Sequence, residues 1–321
     1  MTSAATPFHW ITFAILVIAS LALDLGVFNR RAHVARSREA LVLTGFWIAL
    51  ALVFNLIVFR WLGAEAALEF FTGYLIEKAL SVDNLFVILV IFNYFAVPKE
   101  LQHRVLFWGV VGAVVARGLF VVTGAALLSR FHWLIYVFGA FLLFTGLRLL
   151  VQREHELDPE HNPVLRLLRR VVRSVPDYRG TRFSVVESNK RYATPLFLVL
   201  LTIEATDVVF AIDSIPAVFA VTDDPFIVFT SNIFAVLGLR ALYFVLAGVL
   251  LQFRYLKVGL SLVLAYVGVK MLISGFYSIP IIASLGIVAA LLGGSVVASL
   301  GRSSHPRPSV PDHPNSGRSS S

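Results

Sequence analysis

Long apolar segments recur from Phe8 to about Leu300, and each is long enough to cross a lipid bilayer as a helix. A spanning helix needs about 20 apolar residues. Segments with the alternating pattern of barrel strands are absent, so helices are expected to do the spanning. The expected spans are Phe8–Phe28, Leu41–Trp61, Phe70–Phe95, Val105–Leu128, Trp133–Val151, Pro195–Val221, Phe226–Leu251, Val258–Phe276 and Ile281–Leu300. The sequence therefore predicts an all-α polytopic membrane protein with about nine transmembrane helices.

Composition excludes an ordinary soluble domain. Hydrophobic residues make up 58% of the 321 residues and charged residues 14%, with a mean hydropathy of +0.83, whereas soluble proteins carry roughly a quarter charged residues. The chain has no cysteine, which excludes disulfides, thiolate metal ligands and thiol redox chemistry. The residues before the first apolar segment lack the basic region of a signal peptide, so we expect that segment to be retained as a span.

The charge bias of the connections predicts the orientation. Arginine and lysine concentrate after the first, third, fifth and seventh spans and in the C-terminal tail, and the positive-inside rule makes that side cytoplasmic. The opposite connections carry Glu65 and Glu69, Asp223 and Asp224, or no charge. We therefore expect a bacterial-type inner membrane protein with an external N-terminus and a cytoplasmic C-terminus. Topology already explains the formal net charge of +8, so no nucleic-acid partner is expected.

An internal repeat relates two three-helix units. A segment of the third span aligns without a gap with a segment of the sixth, and the likeness continues in the following spans. The matched ionisable pairs are Glu77 and Asp207, Asp83 and Asp213, and Arg117 and Arg240. Because each unit has an odd number of spans, the second must enter the membrane upside down, as in many transporters. Chance resemblance of two apolar stretches is the weaker interpretation, since acids and arginines recur in the same order.

The repeat divides the chain into six expected segments. They are an N-terminal two-helix segment (1–69), the first three-helix repeat (70–151), a cytoplasmic linker (152–193), the second three-helix repeat (194–276), a final transmembrane helix (277–300) and a disordered cytoplasmic tail (301–321). The linker mixes charges of both signs with Asp-Pro and Asn-Pro turns, and one short amphipathic helix is expected around Val164 to Val172. The tail is rich in serine, proline and arginine, a composition typical of disorder.

Acidic residues inside the apolar spans are the candidate functional groups. An ionisable residue at the centre of a membrane helix costs at least about 2.5 to 3.5 kcal/mol, so a cluster of them requires a reason. The expected metal ligands are Glu77, Asp83, Asn84, Asp207, Asp213 and Ser214, with Asp24, Glu204 and Asn232 as possible accessory groups. Transporter sites form near the midplane where repeats meet, which is where these residues are expected.

Basic residues inside the spans are interpreted differently. Arg117 and Arg240 are expected counter-ions that pair with the acids when no cation is bound, and a purely structural ion pair explains them equally well. Lys78, Arg148 and Lys270 are expected to extend their charged ends towards a membrane interface. Asp24 lies close to the cytoplasmic boundary, where an entrance ligand and a solvated helix end are equally compatible with its position.

The donor types predict a hard cation. Carboxylate, amide and carbonyl oxygens suit manganese, magnesium or calcium, whereas zinc and copper favour imidazole and sulfur. All eight histidines fall at span ends, loops or tails, and the only methionines are Met1 and Met271. A soft-metal site is therefore disfavoured, and ligand type leaves the choice among the hard cations open.

Helix geometry places a constraint on this site. On a straight helix Glu77, Ser81 and Asn84 share one face, while Asp83 points about 120° away from Glu77. Pro216 removes a backbone hydrogen bond near Ile212, so we expect the sixth span to break there. The repeat then predicts an irregular third span near Asp83.

These motifs resemble the TerC family of integral membrane proteins over about residues 8 to 300. The resemblance rests on the sequences GYLIEK at 73–78, SVDN at 81–84, AIDSIPA at 211–217, TSN at 230–232 and LGLR at 237–240. It implies manganese export, with a historical link to tellurite resistance and with some members named redox modulators. Its motif positions favour Glu77, Asp83, Asn84, Asp207 and Asp213.

Three classes of function remain in view. The leading expectation is an exporter of manganese in which two repeats rock around a midplane site, with no bound cofactor and with lipid and the metal ion as partners. An intramembrane aspartyl hydrolase could use Asp83 and Asp213, but neither lies in the Gly-x-Gly-Asp setting of such enzymes, so no enzyme is expected. The third class is a membrane-bound redox modulator or insertion partner without transport. Proton coupling, transport direction, oligomeric state and protein partners stay open.

Overall fold

Helices form almost the whole of the part of the chain that the structure describes. The computed structural model describes residues 5–28, 37–131, 133–151, 174–187, 190–246, 255–277 and 279–302. The helices are α1 (Pro7–Phe28), α2 (Ser37–Leu62), α3 (Ala64–Tyr94), α4 (Lys99–Arg130), α5 (Leu134–Val151), α6 (Pro195–Phe219), α7 (Pro225–Leu237), α8 (Leu239–Leu246), α9 (Leu256–Ile273) and α10 (Ile281–Arg302).

Six of the described helices are long and apolar enough to cross a membrane, namely α1, α2, α4, α5, α6 and α10. The bent pair α7 and α8 makes a seventh if it forms one span. Helix α3 has 31 residues but is not among these six, since Glu77, Lys78 and Asp83 lie close together in its middle. The chain is thus an all-α membrane protein, as predicted. The number nine and the inverted repeat stay predictions.

Local sequence signals explain where several helices begin. Pro195 and Pro225 occupy the first turns of α6 and α7, where a missing N–H costs nothing because it has no partner within the helix. The Asp224 carboxylate accepts a hydrogen bond of 2.9 Å from the Phe226 N–H and caps α7. Gly63, with φ of +93°, provides the sharp turn between α2 and α3 that a residue with a side chain would resist.

Helices α5 and α9 cross in direct backbone contact. A Cβ atom on Gly146 would come within 2.6 Å of the backbone nitrogen of Ala265, and one on Gly268 within 2.5 Å of that of Leu143. Any larger residue at these positions would push the helices apart. Small residues serve this purpose in membrane proteins, where close packing replaces the hydrophobic effect as the force between helices.

An aromatic cluster joins α1 and α2 to the rest of the bundle. Phe13 of α1 and Phe54 of α2 pack against Phe234 of α7, with ring centroids 6.0 and 4.7 Å from it. Phe70 of α3 completes this contact, 5.5 Å from Phe54. The buried rings fix α1 against the second half of the chain, which positions the acidic residue near the end of α1.

The helix breaks expected from the sequence are not where the structure has its discontinuity. Helix α3 is continuous through Asp83, and α6 continues past Pro216 to Phe219, so both predicted breaks are wrong. Pro216 lies in the last turn of α6, where its lost hydrogen bond and its ring leave most of the helix intact. The bend, of 42°, instead separates α7 from α8 at Gly238.

Lys78 supports the end of the broken helix. Its Nζ donates a hydrogen bond of 3.1 Å to the carbonyl of Ala235, in the last turn of α7, where helix carbonyls lose their own partners. The expectation that Lys78 extends to a membrane interface is therefore wrong. Its cationic end is used inside the bundle because a free carbonyl there needs a donor.

A small hairpin, which sequence analysis did not predict, forms the end of the predicted linker. Strand β1 (Ser184–Glu187) pairs antiparallel with β2 (Lys190–Ala193). The Tyr178 hydroxyl donates to the carbonyl of Phe95 over 2.8 Å, and the Arg104 guanidinium lies 5.2 Å from the Phe183 ring centre. These contacts dock the segment on the turn between α3 and α4. The helix expected at 164–172 and the tail from 303 lie outside the described residues.

Candidate ion site at the centre of the helix bundle

A fully buried arginine ties four helices together. Arg117 of α4 has no exposed surface. Its Nη1 donates to the Glu77 carboxylate of α3 and, over 2.8 Å, to the Asn232 side-chain oxygen of α7. Its Nη2 donates over 3.1 Å to the Asp207 carboxylate of α6. We call Glu77, Arg117, Asp207 and Asn232 the Arg117 cluster.

The Arg117 cluster carries more negative than positive charge. Two carboxylates share one guanidinium, whose charge does not titrate in proteins. The second carboxylate therefore lacks a full counter-charge in a setting where charge is expensive. Either a proton or an additional cation would balance that charge.

Several buried polar atoms around the cluster are unsatisfied. Among the described residues, the second carboxylate oxygen of Asp207, the Ser81 hydroxyl, the Arg117 Nε and the Asn232 side-chain nitrogen are buried without a hydrogen-bond partner. Buried polar atoms usually have partners, so a group of exceptions requires an explanation. Carboxylate and hydroxyl oxygens are ligands for hard divalent cations. Ser81 was not among the predicted ligands, although it follows Glu77 by four residues and shares its face of α3.

The remaining predicted ligands take different positions. Asp83 and Asp213 lie on α3 and α6, but their side chains are outside the described part of the structure. Ser214 is buried next to Glu77. Asn84 does not join Arg117; its side chain lines a neighbouring cavity together with Asp207. Among the described residues, no three histidine, aspartate or glutamate side chains converge closely enough to hold a metal ion by themselves.

The second predicted counter-ion lies apart from the cluster. Arg240, on α8, donates from Nη2 to the Asp24 carboxylate over 2.6 Å and to the Asp24 carbonyl over 3.3 Å. Asp24 comes from α1, which precedes both predicted repeats. The structure thus places Asp24 as the partner of an arginine.

Glu204 lies one helical turn before Asp207 on α6. Its carboxylate packs against Gly112 of α4, where a side chain on residue 112 would collide with it. The structure gives Glu204 no hydrogen bond or ion pair with any residue it describes. It is close to Asp207 but not part of the Arg117 cluster.

Two cavities lie towards opposite ends of the bundle. A small one, of about 30 Å³, is bounded by Asn84, Thr206, Asp207 and Arg240 and by apolar side chains. A larger one, of about 510 Å³, lies among the ends of α2, α3, α6 and α9; its charged lining residues are Glu65, Glu69, Asp223, Asp224 and Lys270. We call the first the inner cavity and the second the acidic vestibule. Along α6, the inner cavity comes first and the acidic vestibule last.

The sequence matches a known family over this whole region. Residues 62–306 fit the profile described as "Integral membrane protein TerC family". The chain belongs to the TerC family. The prediction from the motifs around Glu77, Asp213 and Arg240 is confirmed. The matched range begins at Leu62, the last residue of α2, so Asp24 precedes it, whereas the Arg117 cluster lies wholly within the matched range.

Full-length relatives agree with this assignment. The chain is 54% identical over 312 residues to "Uncharacterized membrane protein STKORF319" of Myxococcus xanthus, covering 97% of this chain and 98% of the relative. Two proteins called "Putative membrane-bound redox modulator Alx" are also similar. The one from Escherichia coli K12 is 48% identical over 302 residues, covering 91% of this chain and 94% of the relative. The one from Photorhabdus laumondii is 47% identical over 309 residues, covering 94% and 97%. No solved structure matches the chain.

Proposed function

We propose that this TerC-family chain is a transporter that exports a hard divalent cation, manganese first among the candidates, through the Arg117 cluster. The observation that carries the proposal is the shared guanidinium: two fully or largely buried carboxylates, Glu77 and Asp207, have one cation between them. The unpaired oxygen of Asp207, the Glu77 carboxylate and the nearby hydroxyls are oxygen donors of the kind that such an ion prefers.

The Arg117 guanidinium lies at the position where we propose that the transported cation binds. A divalent cation brings two positive charges, which balance Glu77 and Asp207 without help from the arginine. Arg117 then keeps its bond to Asn232, a neutral acceptor that holds the guanidinium beside the site. The hydroxyls of Ser81 and Ser214 replace water around the ion, and we propose that Asp83 and Asp213 complete the shell.

The inverted repeat and nine spans belong to this proposal. Helix α3 packs on α7, α4 packs on α6, and α5 packs on α9. This reciprocal pattern is what a two-fold axis between 70–151 and 194–276 requires, since each first helix meets the other unit's second helix. Rocking of such units around a midplane site is a common transport mechanism. The proposed orientation, with the acidic vestibule external and the C-terminus cytoplasmic, follows the charge bias of the loops.

The competing function is a redox modulator or insertion partner without transport. The reason to consider redox work is the name that the Alx relatives carry. The chain has no cysteine, so thiol exchange would have to be done by another protein. In that case the buried acids are scaffolding, and replacing them by amides should preserve function.

Manganese content of intact cells tests the proposal. Cells that produce wild type, Glu77→Gln, Asp207→Asn or the control Asp223→Asn are compared at equal membrane levels of protein. Asp223 is exposed at the acidic vestibule, so its charge should matter little. Lower cell manganese with wild type and the control, but not with the two cluster variants, supports export. Equal manganese in all four strains overturns it.

A further inference from the structure

The inner cavity has opposite charges on its walls that do not meet. Asp207 and Arg240 both line this space of about 30 Å³, which is large enough to hold a water molecule. The second carboxylate oxygen of Asp207 and the Nη1 of Arg240 are both buried without a partner among the described residues. A carboxylate and a guanidinium thus face one small cavity, each with an unused hydrogen-bonding atom.

Asp24 forms an ion pair with Arg240. The 2.6 Å contact from Arg240 to the Asp24 carboxylate uses the Nη2 nitrogen, and the Asp24 carbonyl accepts a second bond from the same atom. The guanidinium cannot lose its proton, so inside the bundle it needs an acid at every stage. Two acids are available, Asp24 from α1 and Asp207 across the inner cavity.

The helix that carries Arg240 begins at a bend in the bundle. Arg240 stands two residues after Gly238, at the 42° bend between α7 and α8. Gly238 is closely packed there, since a Cβ atom on it would come within 2.9 Å of the Trp47 Cβ and 3.1 Å of the Lys78 Nζ. Rotation of α8 at this point would carry Arg240 relative to Asp207 while α7, with Asn232, stays packed in the bundle.

We propose that Asp207 passes from Arg117 to Arg240 during transport, and that Asp24 is the positioning residue that delays this transfer until the cation has left. The inference rests on the proposed function. When Arg117 is displaced by the cation, Asp207 binds the cation; after release, Arg240 neutralises Asp207 and prevents the ion from returning. Asp24 therefore sets the affinity for the cation although it does not contact the site.

Manganese binding and turnover of the purified full-length chain test this idea. Binding is measured by titration calorimetry and transport in proteoliposomes. Asp24→Asn frees Arg240 to occupy Asp207, so the manganese Kd should rise at least about tenfold, or roughly 1.4 kcal/mol. Asp24→Asn combined with Arg240→Gln should bring Kd back to within about threefold of wild type. Arg240→Gln alone should keep Kd and lower turnover about tenfold.

The metal-free melting temperature separates this role from a structural one. If Asp24→Asn lowers only the melting temperature and leaves Kd unchanged, the transfer is overturned while manganese transport stands. If wild type neither binds nor transports manganese, both proposals fail together. Should Asp24→Asn not fold, Arg240→Lys provides the second test, since an ammonium lacks the forked donors for two acids. Its turnover should fall with Kd unchanged, and a wild-type turnover contradicts the transfer.

Discussion

The two buried arginines stand at equivalent positions of the predicted repeat but have different surroundings. Arg117 is enclosed by three neighbouring helices and shared by two carboxylates and an amide. Arg240 has one carboxylate and one carbonyl, both from the same residue of α1. Side-chain exposure is 0% for Arg117 and Glu77, against 6% for Arg240 and 10% for Asp24.

The difference shows that α1, which lies outside the predicted repeat, provides the ion-pair partner of Arg240 but not that of Arg117. A perfectly symmetric pair would leave both arginines competing for the same acids. Asp24 removes Arg240 from that competition. The Arg117 cluster keeps its surplus carboxylate, and the Arg240 pair is neutral by itself.

The largest expected effect is a difference in stability between the two arginine variants. Arg117→Gln leaves two carboxylates buried without a cation, and breaking such a pair costs about 3 to 5 kcal/mol. Arg240→Gln leaves one carboxylate near the edge of the bundle, where water can reach it more easily, so a smaller loss is expected. Thermal unfolding of the purified variants in detergent measures both.

Added manganese should distinguish the two variants further, because the ion can replace the charge of Arg117 but not that of Arg240. Added manganese should raise the melting temperature of Arg117→Gln by more than that of wild type and should not rescue Arg240→Gln. Equal destabilisation by both substitutions, with no selective effect of the metal, would contradict the proposed asymmetry.

Neutralising an acid of the Arg117 cluster should weaken manganese binding, whereas neutralising an acid of the acidic vestibule should not. In Glu77→Gln the Arg117 cluster becomes neutral, so it loses its excess negative charge, and the manganese Kd should rise about 100-fold, equivalent to roughly 2.7 kcal/mol. Calorimetric titration measures this change, with Asp223→Asn as the matched control at the acidic vestibule. A Kd within threefold of wild type for Glu77→Gln would exclude the cluster as the binding site.

Asn232 tests what holds Arg117 in place when the cargo is bound. Asn232→Ala removes the 2.8 Å acceptor, and a buried hydrogen bond to a charged group contributes about 1.5 to 3 kcal/mol. The displaced guanidinium then has no neutral partner, so turnover should fall about tenfold. Stopped-flow transport in proteoliposomes gives the rate. An unchanged rate would mean that Arg117 stays where it is throughout.

Glu204 should give the smallest effect. It is the half-buried acid that lies beside Asp207 without joining either arginine in the described structure. Glu204→Gln removes no ion pair, so the melting temperature should be unchanged or slightly higher, and the manganese Kd should change less than about threefold. A tenfold loss of affinity would instead make Glu204 a ligand.

Apolar length and spacing predicted the helical class and most helix positions, because a bilayer leaves little alternative for such segments. The bend was missed because Pro216 is the stronger local signal, whereas the contacts around Gly238, among them the bond from Lys78 to the last turn of α7, come from residues distant in the sequence. The hairpin at 184–193 was missed because composition describes a polar linker without revealing its pairing.

The sequence also predicted some residues of the site but not all of their contacts. Glu77, Asp207 and Arg117 were found because charge inside an apolar span is conspicuous in any sequence. The partnership of Asp24 with Arg240 joins residues 216 positions apart and crosses from α1 into a repeat. Nothing in the spacing of either residue indicates the other, so only the packing of α1 against α7 reveals it.

The acidic vestibule has an electrical consequence. It opens to the surface beside the exposed Glu65 and Asp223, so water and ions can enter it. In the proposed orientation, the transmembrane voltage would then fall mainly over the part of the protein that includes the inner cavity. Moving a divalent cation outward through that part costs about 4.6 kcal/mol per 100 mV of inside-negative potential. Export by this route would therefore slow as the membrane becomes more polarised, unless a counter-moving charge offsets the work.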